Sequence, residues 1–465
     1  MTEAAPRTVP ARAHPDRRGS GRPTIWVDVA NFLEFFRYQE RPTGIQRTEM
    51  EIFAELARSR WSRGPIRFCR LERSADTFES IELETLVRVF YDLPVAPGAL
   101  HRRVARFLRR ALRERRLAYW RPAPLGARTE SFRPGDILAC LGTGWENSRY
   151  VELLGQAREL GVRIAVLIYD VIPVAHAQWV ETALRQRFES WLRGVLGNAD
   201  LVLTISEHSR ASLLRVGAEW RLALPPVELL RLGTGFRELA ATGAAGAGLD
   251  LAEPFVLYVS TIEARKNHAL LLRVWRSLIA KHGVANVPTL VFVGRRGWLV
   301  DDVMSELSRE ASLRDKVVIV SGLSDSEVAT AYRRCLVTVF PSLMEGWGLP
   351  VSESLQQGKL CVASDRGAIP EVGGDLVDYF DPEDDAAALA AVERAIFDHD
   401  YRRAREARIR AEFHPRSWTD CAAALMARLD RLYAATERPN LGAPPSGTVI
   451  DIRRARASEG VRDVV

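Results

Sequence analysis

The sequence predicts an α/β protein built from two doubly wound domains, each with a mostly parallel sheet. The chain has 465 residues, more than a single hydrophobic core usually serves. Short apolar runs alternate with segments of helical periodicity, as in parallel sheets whose strands are joined by helices. Residues 239–251 are rich in Gly and Ala and show no periodic face, which is typical of a linker between two such series.

The strands and helices of both domains follow from these runs. Five runs predict strands in the first domain: Thr24–Val29, Ile137–Cys140, Val162–Ile168, Leu201–Ile205 and Val227–Leu232. Helical spacing between them is seen at Thr48–Arg58, Val151–Leu160 and Glu207–Val216. Six further runs predict strands in the second domain: Phe255–Ser260, Thr289–Gly294, Lys316–Ser321, Leu336–Pro341, Leu360–Ser364 and Tyr379–Asp381. Helices are predicted at His268–Lys281 and Ser417–Tyr433.

The domain boundaries follow from the same reading. We expect a first domain at residues 23–238, the linker at 239–251 and a second domain at 252–416. The polar, Arg-rich residues 1–22 and the Pro- and Gly-containing residues 437–465 are expected to be disordered.

Composition limits the compartment and the partners. No apolar run approaches the length of a membrane span, and the amino terminus has no apolar signal segment, so we expect a cytoplasmic protein. The five cysteines lie far apart, which favours reduced core thiols over disulfides or a zinc site. The net charge of +6 is compatible with a nucleotide, a nucleic acid or an anionic membrane as partner.

The segment from Glu345 to Glu353 is the strongest candidate site. It follows a predicted strand, and Pro350 is expected to be the first helical residue, with Glu353 in the first turn. Gly346 and Gly348 would let the backbone approach a phosphate at the helix N-terminus, and the two carboxylates could accept hydrogen bonds from sugar hydroxyls. A glycine-rich turn before a helix whose dipole favours an early Glu explains the same residues without any function.

Glu345 and Glu353, with Gly-Trp-Gly-Leu-Pro between them, resemble the E-x7-E motif of glycosyltransferase family 4, the retaining enzymes of GT-B fold. The resemblance implies that Glu353 binds the ribose of a nucleotide-sugar and that Glu345 holds the donor sugar. It also implies two Rossmann-like domains that face a central cleft. In that arrangement the last helix, within residues 417–436, returns to the first domain.

Other segments resemble further motifs of the same family. In the second domain these are Thr261–His268, similar to a phosphate loop, Val293–Trp298 and Ser364–Glu371. In the first domain they are Pro42–Arg47, Tyr169–Pro173 with His176 nearby, and Ser206–Arg210. Tyr169 stands where the family usually has a histidine, which leaves that histidine's role unassigned. The resemblance covers about residues 24–435, with a weak stretch from about 70 to 132.

The resemblance assigns roles to named residues. The catalytic candidates are Glu345, Lys266, Arg265, His176 and Asp170, with the two cations placed against the diphosphate. The donor-binding candidates are Gly44, Gly294, Arg295, Gly346, Trp347, Gly348, Leu349 and Glu353. We expect no metal and no cofactor, because Asp398 and Asp400 form the sole Asp-x-Asp and fit a solvated helix end better than a metal site.

The expected reaction is transfer of a mannose- or rhamnose-like hexose, with retention, from a nucleoside diphosphate sugar to a glycan or lipid-linked acceptor. The alternatives are a sugar-nucleotide epimerase or an inverting transferase of the same fold, and, more remotely, a basic nucleic-acid- or membrane-binding protein. We expect no nucleic-acid partner, since no DNA- or RNA-reading motif appears.

An Arg-rich helical pattern at residues 100–116 has one apolar face and is followed by Tyr119 and Trp120. Residues 100–120 could lie on the inner face of an anionic membrane, with the enzyme peripheral there. The pattern equally fits a helix that packs on the core and turns its arginines to solvent.

Overall fold

The computed structural model shows an α/β protein with two sheets, each flanked by helices. It describes residues 22–38, 42–71, 77–81, 128–235, 251 and 253–435. The predicted linker lies almost wholly outside these residues, as do the Arg-rich segment at 100–116 and nearly all of both predicted tails. No helix within the described ranges is long and apolar enough to cross a bilayer.

The first sheet has eight strands in the order β4-β3-β2-β1-β5-β6-β7-β8. Their bounds are β1 Ile25–Asp28, β2 Ile66–Arg70, β3 Phe78–Ile81, β4 Arg128–Glu130, β5 Ile137–Cys140, β6 Arg163–Ile168, β7 Leu201–Thr204 and β8 Val227–Leu229. Strands β1, β2 and β5 to β8 pair in parallel, whereas β3 is antiparallel to both of its neighbours. The five strands predicted here are present; β2, β3 and β4 were missed.

The second sheet has six parallel strands in the order β11-β10-β9-β12-β13-β14. Their bounds are β9 Phe255–Val259, β10 Thr289–Val293, β11 Val317–Val320, β12 Thr338–Phe340, β13 Cys361–Ser364 and β14 Asp378–Phe380. All six were predicted, within one or two residues at each end. The order reverses between β9 and β12, which makes that crevice the expected ligand site of a doubly wound sheet.

Fifteen α-helices lie in the described part of the chain. The first unit, which contains the first sheet, has the helices α1 Ala30–Tyr38, α2 Gly44–Arg58, α3 Tyr150–Glu159, α4 Ile172–Ala175, α5 Thr182–Asn198 and α6 Glu207–Glu219. The second unit, which contains the second sheet, has the helices α7 His268–His282, α8 Asp301–Arg309, α9 Ala311–Lys316, α10 Asp325–Arg334, α11 Leu349–Gln356, α12 Ile369–Gly373, α13 Asp385–Phe397 and α14 His399–Glu412. The last helix, α15 Trp418–Ala434, follows the second unit in the chain.

The last helix, α15, packs on the first sheet although the chain reaches it from the second. Trp418, Cys421 and Leu425 are buried in the same apolar cluster as Ile25 of β1. A Cβ on Gly233 would lie 2.6 Å from the Trp418 ring, so only glycine permits this close packing. The helix therefore ties the two units together by burial of apolar surface.

All five cysteines are buried and unpaired, which confirms the prediction of core thiols. Asp398 caps α14 by accepting a hydrogen bond from the Tyr401 N–H at 2.9 Å. Asp400 is paired with Arg403 on the surface of the same helix. The Asp-x-Asp pair therefore has a local role at a helix start, consistent with its reading as a solvated helix end.

Candidate functional site

The candidate site lies at the carboxyl ends of β9 and β12, where the order of the second sheet reverses. The loop after β9 carries Arg265 and Lys266, and the loop after β12 carries Glu345. The Leu343 N–H donates to the Arg265 carbonyl at 2.9 Å, which joins the two loops directly. Tyr258 of β9 donates its hydroxyl to the Lys266 carbonyl at 2.8 Å and fixes the first loop from beneath.

Both cations are paired with the Glu345 carboxylate. Lys266 Nζ lies 2.5 Å from Glu345 Oε1, and Arg265 Nη1 lies 2.9 Å from Oε2. Arg265 also donates to Glu263 at 2.6 Å, through its other terminal nitrogen. Two cations and two carboxylates thus neutralise one another in a mostly buried cluster.

Burial would raise the pKa of Glu345, but Arg265 and Lys266 outweigh it and hold the pKa at about 2. The carboxylate is therefore ionised throughout the neutral range. A diphosphate that binds here would compete with Glu345 for the two cations, so binding would require an exchange of ion-pair partners. Such an exchange leaves Glu345 free to accept hydrogen bonds from a sugar.

The first unit reaches this cluster through the end of β6. A Cβ on Gly346 would lie 2.9 Å from both the Asp170 Cβ and the Tyr169 carbonyl oxygen, so glycine is required where the two units meet. Burial raises the pKa of Asp170, although Arg265 opposes that rise. The Tyr169 hydroxyl donates to the Leu141 carbonyl at 2.9 Å, so the residue at the unusual position serves as a buried support.

Two helix N-termini also meet at the cleft. Gly44 begins α2, and a Cβ on it would lie 3.9 Å from Leu349 Cδ1 at the start of α11. Gly348 precedes α11 with φ of +115°, a backbone conformation that favours glycine. Helix N-termini present unpaired N–H groups and partial positive charge, so their meeting point suits an anion.

Glu353 differs from its predicted setting. Because α11 begins at Leu349, Glu353 lies in the second turn, and Pro350 is the second helical residue rather than the first. Its Oε1 accepts from Arg47 Nη1 at 2.7 Å and its Oε2 from the Tyr332 hydroxyl at 3.0 Å. Burial raises the pKa of Glu353, and Arg47 limits the rise. The helix dipole therefore does not explain this residue.

The remaining candidates are more dispersed. Gly294 has a packing role, since a Cβ there would lie 1.8 Å from the Ser260 carbonyl oxygen. The Arg295 side chain is exposed, and its carbonyl accepts from the Ile262 N–H at 2.9 Å. The Trp347 ring packs on the core of the first unit, and its buried indole N–H has no hydrogen-bond partner among the described residues.

His176 stacks on Trp179 with ring centroids 4.9 Å apart. Burial lowers its pKa, with smaller contributions from His208 and Arg215, which favours the neutral imidazole. The structure thus brings together Glu345, Lys266, Arg265 and Asp170. His176 lies instead beside Trp179, with His208 and Arg215 as its charged or titratable neighbours.

Sequence reasoning missed residues that join the two units here. Arg47 bridges to Glu353 and to Asp325, and Glu371 accepts from the backbone N–H groups of Glu207 and His208. The position of Arg47 near the start of a predicted helix is one signal that the sequence contains. A cation near a helix N-terminus is unfavourable, so a compensating anion from another part of the chain is expected. Glu371 and the start of α6 each lie in a segment that resembles a family motif, but no local pattern indicates that the two meet.

The part of the candidate site in the second unit lies within a segment that matches a known protein family. The family described as "Glycosyl transferases group 1" matches residues 245–411. The chain is 26% identical over 276 residues to the serotype-specific mannosyltransferase WbdA of Escherichia coli, an alignment that covers 56% of this chain and 33% of WbdA. It is 28% identical over 238 residues to the O-antigen chain mannosyltransferase B of the same organism, with 50% of this chain and 61% of that protein covered.

The chain therefore spans only part of the length of these relatives. Among solved structures, sucrose-phosphate synthase from Thermosynechococcus elongatus aligns with a TM-score of 0.57 and 20% identity, covering 89% of this chain and all of that one. An α,α-trehalose-phosphate synthase from Burkholderia vietnamiensis aligns with a TM-score of 0.56 and 12% identity, covering 90% and 98% of the two chains. Both are GT-B enzymes, so the chain has the GT-B fold, and within it residues 245–411 match the group 1 glycosyltransferase family.

Proposed function

We propose that the protein is a retaining hexosyltransferase that uses a nucleoside diphosphate sugar without a metal ion. The observation that carries the proposal is the cluster of Lys266, Arg265 and Glu345 beside the facing starts of α2 and α11. It supplies cations and helix N-termini for a diphosphate and an ionised carboxylate for the sugar next to it. Glu353, one turn further along α11, would hold the ribose.

In the proposed reaction the bond from the anomeric carbon to the diphosphate oxygen breaks as the acceptor hydroxyl attacks on the same face. The acceptor proton passes to the departing phosphate oxygen. Lys266 and Arg265 would exchange Glu345 for the phosphate as its charge develops. At contact distance each cation contributes on the order of 4 kcal/mol at an effective dielectric near 20, before desolvation is subtracted. Asp170 and His176 would orient the donor sugar or the acceptor.

The names of the relatives suggest the sugar. Two of them are named mannosyltransferases, one of an O-antigen chain, so we propose a mannose- or rhamnose-like hexose and a glycan or lipid-linked acceptor of surface polysaccharide assembly. We further propose a cytoplasmic protein that contacts the inner membrane face through residues 100–120, where such an acceptor would be presented. Nucleic acid is not among the proposed partners.

The decisive experiment is a thermal-shift panel of GDP-, UDP- and dTDP-sugars, followed by turnover with the sugar that stabilises the protein. A ligand at about a hundred times its dissociation constant stabilises by about 2.7 kcal/mol. The anomeric configuration of the product, read by NMR, separates retention from inversion. A rearranged nucleotide-sugar formed without acceptor would identify an epimerase instead.

A test variant, its matched control and a metal-removal experiment complete the test. Lys266→Met should weaken binding of the nucleoside diphosphate but not of the free nucleoside, since its partner is phosphate. Lys281→Met, which removes an exposed lysine paired with Glu393, should change neither. Turnover that is abolished by EDTA and restored by a divalent ion would contradict the metal-free part of the proposal.

A further inference from the structure

Arg47 projects from the start of α2 in the first unit into the second unit. Its Nη1 lies 2.7 Å from Glu353 Oε1 and its Nη2 lies 2.9 Å from Asp325 Oδ1. Glu353 is almost completely buried, with 2% of its side chain exposed, and Arg47 is 17% exposed. One guanidinium thus spans two carboxylates that stand on α11 and α10 of the other unit.

The groups that act electrostatically on Glu353 come from two packed helices. Arg47 on α2 is the cation, and Asp325 and Tyr332 on α10 are the other titratable groups. Tyr332 donates its hydroxyl to Glu353 Oε2 at 3.0 Å, and Asp325 adds like charge. Without Arg47, the buried Glu353 carboxylate would lose the cation that opposes both its burial and the like charge of Asp325, which favours the protonated form.

A ribose diol donates two hydroxyl hydrogens, and an ionised carboxylate accepts them better than a protonated one. The proposed ribose site at Glu353 on α11 therefore depends on the positive charge of Arg47, which the first unit provides. On the basis of the proposed role of Glu353, we infer that Arg47 is a positioning residue for nucleoside binding, which orients Glu353 and stabilises its carboxylate form. Because the two residues belong to different units, nucleoside affinity is also coupled to the approach of those units across the cleft.

The test measures binding of GDP, UDP and dTDP by calorimetry to the full chain. For whichever nucleotide the wild type binds, Arg47→Met should weaken binding by about tenfold or more, the range for hydrogen bonds to charged groups. The loss should grow as pH falls, because burial raises the pKa of Glu353 further when Arg47 no longer opposes it. Arg47→Lys, which restores the positive charge but lacks the two terminal nitrogens of a guanidinium, should recover part of the affinity.

A double-mutant cycle distinguishes an effect through Glu353 from an independent one. The double variant Arg47→Met, Glu353→Gln lacks both charges and therefore leaves no unpaired carboxylate at position 353. It should bind the nucleotide no more weakly than Glu353→Gln alone. Arg58→Met is the matched control on the same helix, where Arg58 pairs with Glu55 on the surface; it should bind as the wild type does.

Four outcomes would contradict the inference or the proposed function, and they can be told apart. Wild-type affinity in Arg47→Met, or a loss that does not vary with pH, would overturn the inference and leave the proposed function intact. Additive losses in the double variant would show that Arg47 acts independently of Glu353. A wild-type protein that binds none of the three nucleotides would overturn the proposed function, and with it this inference.

Discussion

The Glu371 carboxylate of the second unit accepts a hydrogen bond from the backbone N–H of His208, in the first turn of α6, at 2.7 Å. Its other oxygen accepts from the Glu207 N–H at 2.8 Å. An anion at a helix N-terminus is favourable, and here it crosses the cleft between the two units. The contact joins two segments that both resemble motifs of the family, one running from the end of β13 into α12 and the other at the start of α6.

Glu371→Ala should therefore loosen the contact between the units. We expect a loss of about 1 kcal/mol, which is typical of an exposed carboxylate at a helix N-terminus, and a higher apparent Michaelis constant for the donor. Urea denaturation and steady-state kinetics measure the two effects. Glu383→Ala removes an exposed carboxylate 3.5 Å from Arg366 and should change neither; equal effects of both variants would contradict a specific role for Glu371.

Glu345→Gln should separate turnover from product binding. The change removes the negative charge that pairs with Lys266 and Arg265, so both cations become available to a diphosphate. We expect turnover to fall by about a hundredfold or more, while the nucleoside diphosphate binds more tightly. Since the pKa of Glu345 is about 2, its titration should not appear in the wild-type pH profile above about pH 4.

Glu306→Gln is the control for that variant, because Glu306 pairs with Arg276 on the surface of the second unit. It should behave as the wild type in both assays. Unchanged turnover in Glu345→Gln would reject Glu345 as a catalytic residue.

Gly346→Ala should force the two units apart. The new methyl group would lie 2.9 Å from the Asp170 Cβ and the Tyr169 carbonyl oxygen, and the latter is backbone that cannot swing away. We expect a cost of roughly 1–3 kcal/mol and a marked loss of turnover, with a larger radius of gyration by X-ray scattering. In Gly155→Ala on α3, the methyl group meets only Asn198 Oδ1 at 3.6 Å and should be tolerated. Identical scattering and activity in both variants would contradict the close contact.

Glu49→Gln should change how stability depends on pH. Glu49 lies on α2 with both carboxyl oxygens buried, and neither has a hydrogen-bond partner within the described part of the chain. Burial, with a contribution from Asp28, raises its pKa well above the ordinary value. The folded protein therefore retains this proton over a pH range in which the unfolded chain has lost it.

Because the unfolded chain binds fewer protons in that range, the free energy of unfolding of the wild type falls as pH rises above about 4.3. The glutamine variant lacks this dependence, so its stability relative to the wild type should increase from about pH 5 to about pH 8. Urea denaturation at several pH values measures the difference. A difference between the two proteins that is constant across this range would show that Glu49 is ionised in the folded state.

Much of the fold was predictable because its signals are local. The six strands of the second sheet are buried apolar runs bounded by Gly, Pro or polar residues, and periodicity over a few residues is enough to identify them. Strand β2, Ile66–Arg70, was missed because Arg67 and Arg70 interrupt its apolar pattern. Strands β3 and β4 are short and antiparallel, and Phe78–Ile81 contains only two apolar residues.

The loops that carry the charged and glycine residues of the candidate site can be identified from sequence, because each motif lies within a single strand–loop–helix segment. Which of these charges meet depends on how the two units pack. Arg47 and Glu353 are separated by 306 positions, and their pairing follows from the way α2 and α11 face each other across the cleft. That packing depends on burial by both units together, including α15 on the first sheet, and no local pattern encodes it.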